Sequence, residues 1–135
     1  MGRHVIALDL GSTSLKGAVF SGTGERLADL AAPVDYSDQT PTCTEFPVAP
    51  FRDSLKTLLC DLLAAANSPP SAISTVAVTS QAQTFALIAP DGTPRTPFIS
   101  WLDRRAEEEA AELTRRFGGD FHRHSSFPSP IPQLQ

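Results

Sequence analysis

The stretch VIALDLGSTSLKGAVF, Val5 to Phe20, places one carboxylate and a small-residue turn between two apolar runs. The run from Val5 to Leu10 is typical of a buried strand, and the run from Leu15 to Phe20 is typical of a second one. The Gly-Ser-Thr-Ser link suits a hairpin, in which Gly11 is free to adopt a positive φ. The stretch therefore predicts two antiparallel strands joined by a polar turn.

This turn combines groups that bind phosphate with one that binds a cation. Asp9 closes the first strand, and the backbone N–H groups and hydroxyls of Gly11, Ser12 and Thr13 follow it. Such a turn can bind a phosphate while Asp9 holds a hydrated Mg²⁺ ion. Lys16 can neutralise the charge of a phosphoryl group that is being transferred. The spacing fits neither the P-loop nor the dinucleotide fingerprint. On this stretch alone, the alternative that Gly, Ser and Thr serve only turn geometry stays open.

Composition limits the classes of function. With 135 residues and 14.4 kDa, the chain is long enough for one modest domain with a single core. A hydrophobic fraction of 41% and a net charge of -4 favour a globular protein that binds neither nucleic acid nor a membrane. Without an apolar span or signal peptide, we expect a cytoplasmic protein, in which Cys43 and Cys60 stay reduced and unpaired.

Hydrophobic periodicity and turn residues predict the order of elements. We expect a three-stranded sheet over residues 1–32, a loop over 33–50, a helix over 51–67, strands over 73–101, a helix over 103–117 and an irregular tail over 118–135. In the second helix Asp103 is the expected N-cap, Arg105 is expected to pair with Glu109, and Gly118 supplies the stop.

Two blocks of sequence resemble a known family. ALDLGSTSLKGAVF resembles the first phosphate motif of the actin/Hsp70/sugar kinase superfamily, and specifically the opening of the FGGY carbohydrate kinases. VAVTSQAQTFALIAPDGTPRTPFISWLDRRAEEEAAEL resembles the FGGY segment in which a strand ends in a Gln-containing substrate motif, a hairpin turns at Asp-Gly, and Trp-x-Asp-x-Arg opens a helix. These features are Gln81, Asp91-Gly92, Trp101, Asp103 and Arg105. The resemblance implies an α/β, ribonuclease H-like mixed sheet with flanking helices, incomplete in this chain.

The resemblance also implies two groups of site residues. The group facing phosphate and Mg²⁺ is Asp9 together with Gly11, Ser12, Thr13 and Lys16. The group facing the sugar or polyol is Gln81, Ala82, Gln83, Trp101 and Asp103. The intact kinase would use ATP and Mg²⁺ and would release sugar phosphate and ADP.

The chain departs from the family pattern in its substrate motif and in its length. Where family members have Gly-Gln-Met-His-Gly or Asn-Gln-Arg-Glu-Thr, this chain has Ser80 to Thr84, SQAQT, so the identity of the sugar stays open. The family's general base and adenosine pocket correspond to positions beyond Gln135, and we therefore expect a fragment that is inactive alone.

Two further expectations follow from this incompleteness. An exposed sheet edge favours self-association or pairing with a missing C-terminal half. The alternative function is a non-catalytic domain that binds sugar or phosphate, or one partner of a split enzyme.

Overall fold

The computed structural model describes residues 3–36 and 38–125, which form strands and helices of very different lengths. The elements are β1 (His4–Leu10), β2 (Ser14–Phe20), β3 (Arg26–Pro33), β4 (Asp38–Gln39), β5 (Thr44–Phe46), α1 (Val48–Ala65), β6 (Ile73–Ser80), β7 (Phe98–Ile99) and α2 (Glu107–Ser125). A single 3-10 turn, Pro70–Ala72, leads into β6.

The chain forms two compact units, whereas its length suggested a single core. The first unit consists of Met1–Asp35 and Val48–Ala82. The second consists of Tyr36–Pro47 and Gln83–Gln135. Each unit has its own sheet and its own buried side chains.

The first unit contains a four-stranded mixed sheet in the order β3-β2-β1-β6. The pairs β1–β2 and β2–β3 are antiparallel, and β1–β6 is parallel. The hairpin pairs Val5 with Phe20 and Leu10 with Leu15. The mixed sheet with flanking helices expected from the sequence is therefore present.

Helix α1 packs against one face of this sheet. Alternation along the strands directs Ile6 and Leu8 to the same face, where they bury against Leu58 and Leu62. The buried residues of this cluster are Ile6, Leu8, Leu15, Val19, Leu58 and Leu62. The helix begins at Val48, three residues before the expected start, because Pro50 is tolerated in the first turn of a helix.

The second unit has a small antiparallel sheet in the order β4-β5-β7. Phe46 is 2% exposed, and its ring contacts those of Tyr36 and Phe98, each with a centroid separation of 5.1 Å. Strands β4 and β5 lie in the segment 33–50 that was expected to be a loop. Strands of two or three residues are too short to show an alternation of apolar and polar side chains in the sequence. In addition, β5 is stabilised by pairing with β7, which is distant in the chain.

The remaining differences concern the segments around α2. Between residues 81 and 97 the structure has isolated bridges, Phe85 with Ile99 and Ile88 with Pro94, in place of a regular strand. Helix α2 begins at Glu107 instead of 103. The regular helix breaks at Gly118, as expected, because its φ of 46° and ψ of -127° are not helical, but helical structure resumes after this kink and continues to Ser125. Residues 119–125 of the expected tail are thus helical, and 126–135 lie outside the described residues.

The described part of the chain has no helix of the length and apolarity needed to cross a membrane.

Candidate functional site

The first group of site residues lies on the sheet face opposite α1. Asp9 on β1 is the cross-strand partner of Lys16 on β2 and of Thr79 on β6. All three side chains line one open cavity of about 630 Å³. Because alternation puts Leu8 on the α1 side, it directs Asp9 away from the core. A carboxylate, an ammonium group and a hydroxyl therefore meet on one accessible surface.

The hairpin turn is held close to the Asp9 carboxylate. The Gly11 N–H donates to the Ser14 carbonyl at 3.1 Å, and Val34 N–H donates to the Thr13 carbonyl at 3.1 Å. A Cβ on Gly11 would lie 2.9 Å from the Ser14 carbonyl oxygen and 4.0 Å from Asp9 Oδ2. Gly11 does not adopt a positive φ, contrary to expectation. The turn selects glycine because the backbone passes too close for a side chain.

Gln81 lies beside this turn. Because β1 and β6 are parallel and Leu10 pairs with Ser80, the residues that follow them leave the sheet at the same edge. The Gln81 N–H donates to the Leu10 carbonyl at 3.1 Å, and its Nε2 donates to the Gly11 carbonyl at 3.5 Å. Among the described residues, Gln81 Oε1 is buried without a hydrogen-bond partner. An unsatisfied buried acceptor next to a polar turn suits a ligand that donates a hydrogen bond.

The predicted sugar residues divide between the two units. Ala82 ends the first unit with an exposed side chain. Gln83 begins the second unit in the left-handed region, with φ of 62°. Trp101 is 42% exposed, and its backbone N–H donates to Thr84 Oγ1 at 3.2 Å. The indole therefore presents an accessible aromatic surface within the second unit.

Asp103 lies fully buried in the second unit. Its Oδ1 accepts from Arg105 N–H at 3.0 Å and Arg105 Nε at 2.8 Å. Its Oδ2 accepts from Thr44 N–H and from Arg105 Nη2, each at 2.8 Å. The carboxylate is thus engaged with Thr44 and Arg105 and does not cap α2, which begins at Glu107.

Burial and hydrogen bonding act in opposite directions on the pKa of Asp103. Burial is the largest influence and opposes ionisation, but the hydrogen bonds from Arg105 and Thr44 together outweigh it, so the pKa of Asp103 is lowered. Hydrogen bonds to Asp103 and Glu45 raise the pKa of Arg105. Arg105 reaches Glu45 Oε2 at 2.6 Å, instead of the expected Glu109. This ion cluster joins β5 to the segment before α2.

Cys43 borders the same cluster, because Arg105 Nη2 lies 2.9 Å from its Sγ. Burial raises the pKa of the Cys43 thiol, and Glu45 and Asp103 add to the effect while Arg105 opposes it. The thiol is therefore protonated at neutral pH and is a weak nucleophile. Cys43 and Cys60 are both free, as the sequence led us to expect.

The donor set around Asp9 is compatible with Mg²⁺ held through water. The described residues contain no group of three or more His, Cys, Asp or Glu side chains that could hold a metal ion together. A single carboxylate beside backbone and hydroxyl groups nevertheless suits Mg²⁺, which retains several waters and needs few protein ligands. Asp9 is the residue that would hold it, with Ser12 and Thr13 nearby in the turn.

The structure thus brings together Asp9, the turn and Gln81 in the first unit, and Trp101 and Asp103 in the second. The sequence analysis did not predict a role for Thr79. The register between β1 and β6, which places Thr79 opposite Asp9, cannot be deduced from the sequence of either strand. Glu45, which lies far from Arg105 in sequence, was likewise not predicted. Only the placement of β6 and β5 in their sheets reveals both contacts.

Comparisons with known proteins identify the family and the fold of this chain. The profile of the FGGY family of carbohydrate kinases, N-terminal domain, matches residues 4–126. A glycerol kinase from Citrifermentans bemidjiense is 26% identical over 111 residues, covering 82% of this chain and 22% of the relative. The chain therefore spans less than a quarter of the length of that relative.

Solved structures share the fold. Gluconate kinase from Lactobacillus acidophilus superposes with a TM-score of 0.81 at 19% identity, over 91% of this chain and 25% of that chain. Xylulose kinase from Rhodospirillum rubrum superposes with a TM-score of 0.74 at 26% identity, over 87% of this chain and 24% of that chain. The fold is therefore that of the ribonuclease H-like sugar kinases, in part. Because the family profile matches nearly the whole sequence, this chain belongs to the FGGY family of carbohydrate kinases and carries its N-terminal domain.

Proposed function

We propose that this chain is the N-terminal part of an ATP-dependent kinase that phosphorylates a hydroxyl of a sugar or polyol, and that it is inactive alone. The cross-strand placement of Asp9 and Lys16 beside the Gly11 turn carries the proposal. A carboxylate for hydrated Mg²⁺, an ammonium group and a polar turn with hydroxyl groups are the parts that a phosphoryl-transfer site requires. The free cysteines Cys43 and Cys60 are compatible with a reducing cytoplasm, where we place the reaction.

In this reaction the substrate hydroxyl oxygen forms a bond to the γ-phosphorus of ATP, the bond from that phosphorus to ADP breaks, and the hydroxyl proton passes to a base. Bound Mg²⁺ would neutralise charge on the phosphate oxygens. Lys16 would offset negative charge on the transferred group, and the turn would orient it through Gly11 to Thr13. We assign the proton-accepting base to none of the residues in this chain.

For the acceptor, we propose separate contributions from the two units. Gln81 and Ala82 of the first unit, and Gln83 and Trp101 of the second, are the candidates for contact with the sugar or polyol. The buried Gln81 Oε1 would accept a hydrogen bond from a substrate hydroxyl, and the exposed Trp101 face would pack on C–H groups. Asp103 was expected to bind hydroxyls directly. Its fully buried, four-times hydrogen-bonded carboxylate favours instead a positioning role for the segment that carries Trp101.

The test is isothermal titration of the purified chain with a panel of pentoses, ketoses, hexonates and polyols, together with a coupled assay of ADP formation with Mg-ATP. We expect one class of sugar to bind and no ADP above background. Trp101→Ala should weaken that binding about tenfold, which corresponds to one aromatic stacking contact.

The matched control is Phe117→Ala, which removes another exposed aromatic ring of the same unit, 51% exposed, and should leave sugar affinity unchanged. Equal losses in both variants would contradict a specific role for Trp101. Formation of ADP by the chain alone would contradict the proposed inactivity. Absence of binding for every sugar in the panel would contradict a preformed sugar site.

A further inference from the structure

Trp101 lies at the tip of a tight turn whose two ends are buried. The Asp103 N–H donates to the Ser100 carbonyl at 2.9 Å, which closes a β-turn, and the Leu102 N–H donates to Ser100 Oγ at 3.3 Å. Ser100 and Asp103 are fully buried, whereas Trp101 and Leu102 are 42% and 44% exposed. The position of the indole therefore depends on how firmly the two buried ends of this turn are held.

Both ends of the turn are bound to the segment that leads into β5. The Ser100 N–H donates to the Thr44 carbonyl at 3.0 Å, and the Thr44 N–H donates to Asp103 Oδ2 at 2.8 Å. The Arg104 N–H donates to the Thr42 carbonyl at 2.8 Å. All five residues belong to the second unit, although Thr44 and Asp103 are 59 residues apart in sequence. The turn is therefore held in place by a segment that is distant in the chain.

Arg105 connects the carboxylates of the turn and of β5. Its Nε and Nη2 donate to the two oxygens of Asp103, each at 2.8 Å, and Nη2 also donates to Glu45 Oε2 at 2.6 Å. The Arg105 and Glu45 side chains are 34% and 22% exposed, so these ion pairs are partly shielded from water. A lysine ammonium is a point charge on a flexible stem and cannot reproduce this fork of donors. The planar guanidinium therefore fixes Asp103 relative to Glu45.

We propose that Arg105 is a positioning residue of the sugar site, which fixes the Ser100–Asp103 turn on β5 and so holds the Trp101 ring ready to pack on a sugar or polyol. This inference rests on the proposed contact between Trp101 and the acceptor. Arg105 itself contacts no ligand and acts through Asp103 and Glu45. A ring that is ordered before the ligand arrives loses less conformational entropy on binding, which strengthens the affinity.

Fluorescence tests this role without any sugar, because Trp101 is the one tryptophan of the chain. Time-resolved anisotropy of the native and Arg105→Lys chains measures motion of the indole on the nanosecond timescale. We expect Arg105→Lys to show an additional fast decay that the native chain lacks. Hydrogen exchange at the Ser100 and Arg104 amides should become at least about tenfold faster in the same variant.

The matched control is Arg104→Lys, the same substitution at the neighbouring arginine. The Arg104 side chain pairs with Glu107 on α2, and both side chains are more than half exposed. Because the substitution leaves the fork of Arg105 intact, it should change neither the anisotropy decay nor the exchange rates.

Titration with the sugar that binds the native chain completes the test. Arg105→Lys should weaken binding about three- to tenfold. It should weaken binding no further in the Trp101→Ala background, since a residue that acts through Trp101 has no effect once the ring is absent. Glu45→Gln keeps the contacts between Arg105 and Asp103, and should give results between those of the native and Arg105→Lys chains. Circular dichroism checks that every variant folds.

Unchanged anisotropy and exchange in Arg105→Lys would overturn the proposal. Equal losses of affinity from Arg105→Lys with and without the Trp101 ring would overturn it too. If Arg105→Lys does not fold, the same criteria apply to Glu45→Gln. Faster indole motion in Arg105→Lys, together with a native chain that binds no sugar, would instead contradict the proposed sugar site and would support the hold of Arg105 on Trp101.

Discussion

Asp9 and Lys16 are direct cross-strand partners on β1 and β2, and both side chains line the open cavity on the face of the sheet that α1 does not cover. Opposite charges at such a position attract each other and also act oppositely on a phosphate. Asp9 repels an anion unless a cation lies between them, whereas Lys16 attracts it in either case. This difference makes the roles of the two residues separable by experiment.

Titration with inorganic pyrophosphate, with and without MgCl₂, separates them. Asp9→Asn should bind pyrophosphate somewhat better than the native chain without Mg²⁺, and should lose the improvement that Mg²⁺ brings. Lys16→Gln should weaken binding about three- to tenfold in both conditions. Asp61→Asn on α1, which also removes one exposed carboxylate, is the control. An undiminished effect of Mg²⁺ in Asp9→Asn would contradict the role assigned to Asp9.

The close contact at the hairpin turn predicts that Gly11→Ala destabilises the chain. A Cβ at Gly11 would lie 2.9 Å from the Ser14 carbonyl oxygen, so the backbone must move and its hydrogen bond to Ser14 is strained. We expect a loss of about 1–3 kcal/mol in the free energy of unfolding, measured by urea titration. Thr13→Ala, at an exposed position of the same turn, should change it by less than about 0.5 kcal/mol.

The packing of α1 on β2 predicts a compensating pair of substitutions. A Cβ at Gly17 would lie 2.4 Å from Leu62 Cδ1, inside the core. Gly17→Ala should therefore cost about 1–3 kcal/mol, because Leu62 is fully buried and has little room to shift. In a double-mutant cycle, Leu62→Val should cost less in the Gly17→Ala background than in the native chain. Additive losses would show that the two side chains do not compete for this space.

The pKa of Asp103 predicts part of the acid denaturation. Since the folded-state pKa is lowered below the ordinary value of about 3.9, the ionised form stabilises the fold fully above that pH, and the stabilisation disappears as pH falls through the folded-state pKa. Asp103→Asn should lower the free energy of unfolding at pH 7 by about 1–3 kcal/mol, and by progressively less below about pH 4.

Urea titrations of both chains from pH 7 to pH 2.5 measure this difference. Asp91→Asn is the matched control, because the pKa of Asp91 is also lowered but its carboxylate is exposed and bonds only locally to Thr93. A constant difference between native and Asp103→Asn chains across this range would contradict the assignment.

Several features were predictable because they depend on neighbours in sequence. The two apolar runs on either side of the Gly-Ser-Thr-Ser turn are sufficient to predict the β1–β2 hairpin. The spacing of apolar residues along α1 predicts which side of the helix packs against the sheet, and Leu58 and Leu62 are buried on that side. The Asp91-Gly92 turn likewise follows from local chemistry, with Gly92 at φ 84° and Asp91 Oδ1 accepting from Thr93 N–H at 2.9 Å.

The hairpin, the amphipathic helix and the family motif that contains Asp9 are therefore predictable from short stretches of sequence, since each depends on residues close together in the chain. Contacts between residues far apart in the chain become visible only in the folded protein. Parallel pairing of β1 with β6 places Gln81 beside Gly11, and pairing of β5 with β7 supplies Glu45 to Arg105. Such contacts depend on the pairing of segments far apart in the chain. Neither the hydrophobic periodicity nor the secondary-structure propensity of a short segment indicates which distant strand it pairs with.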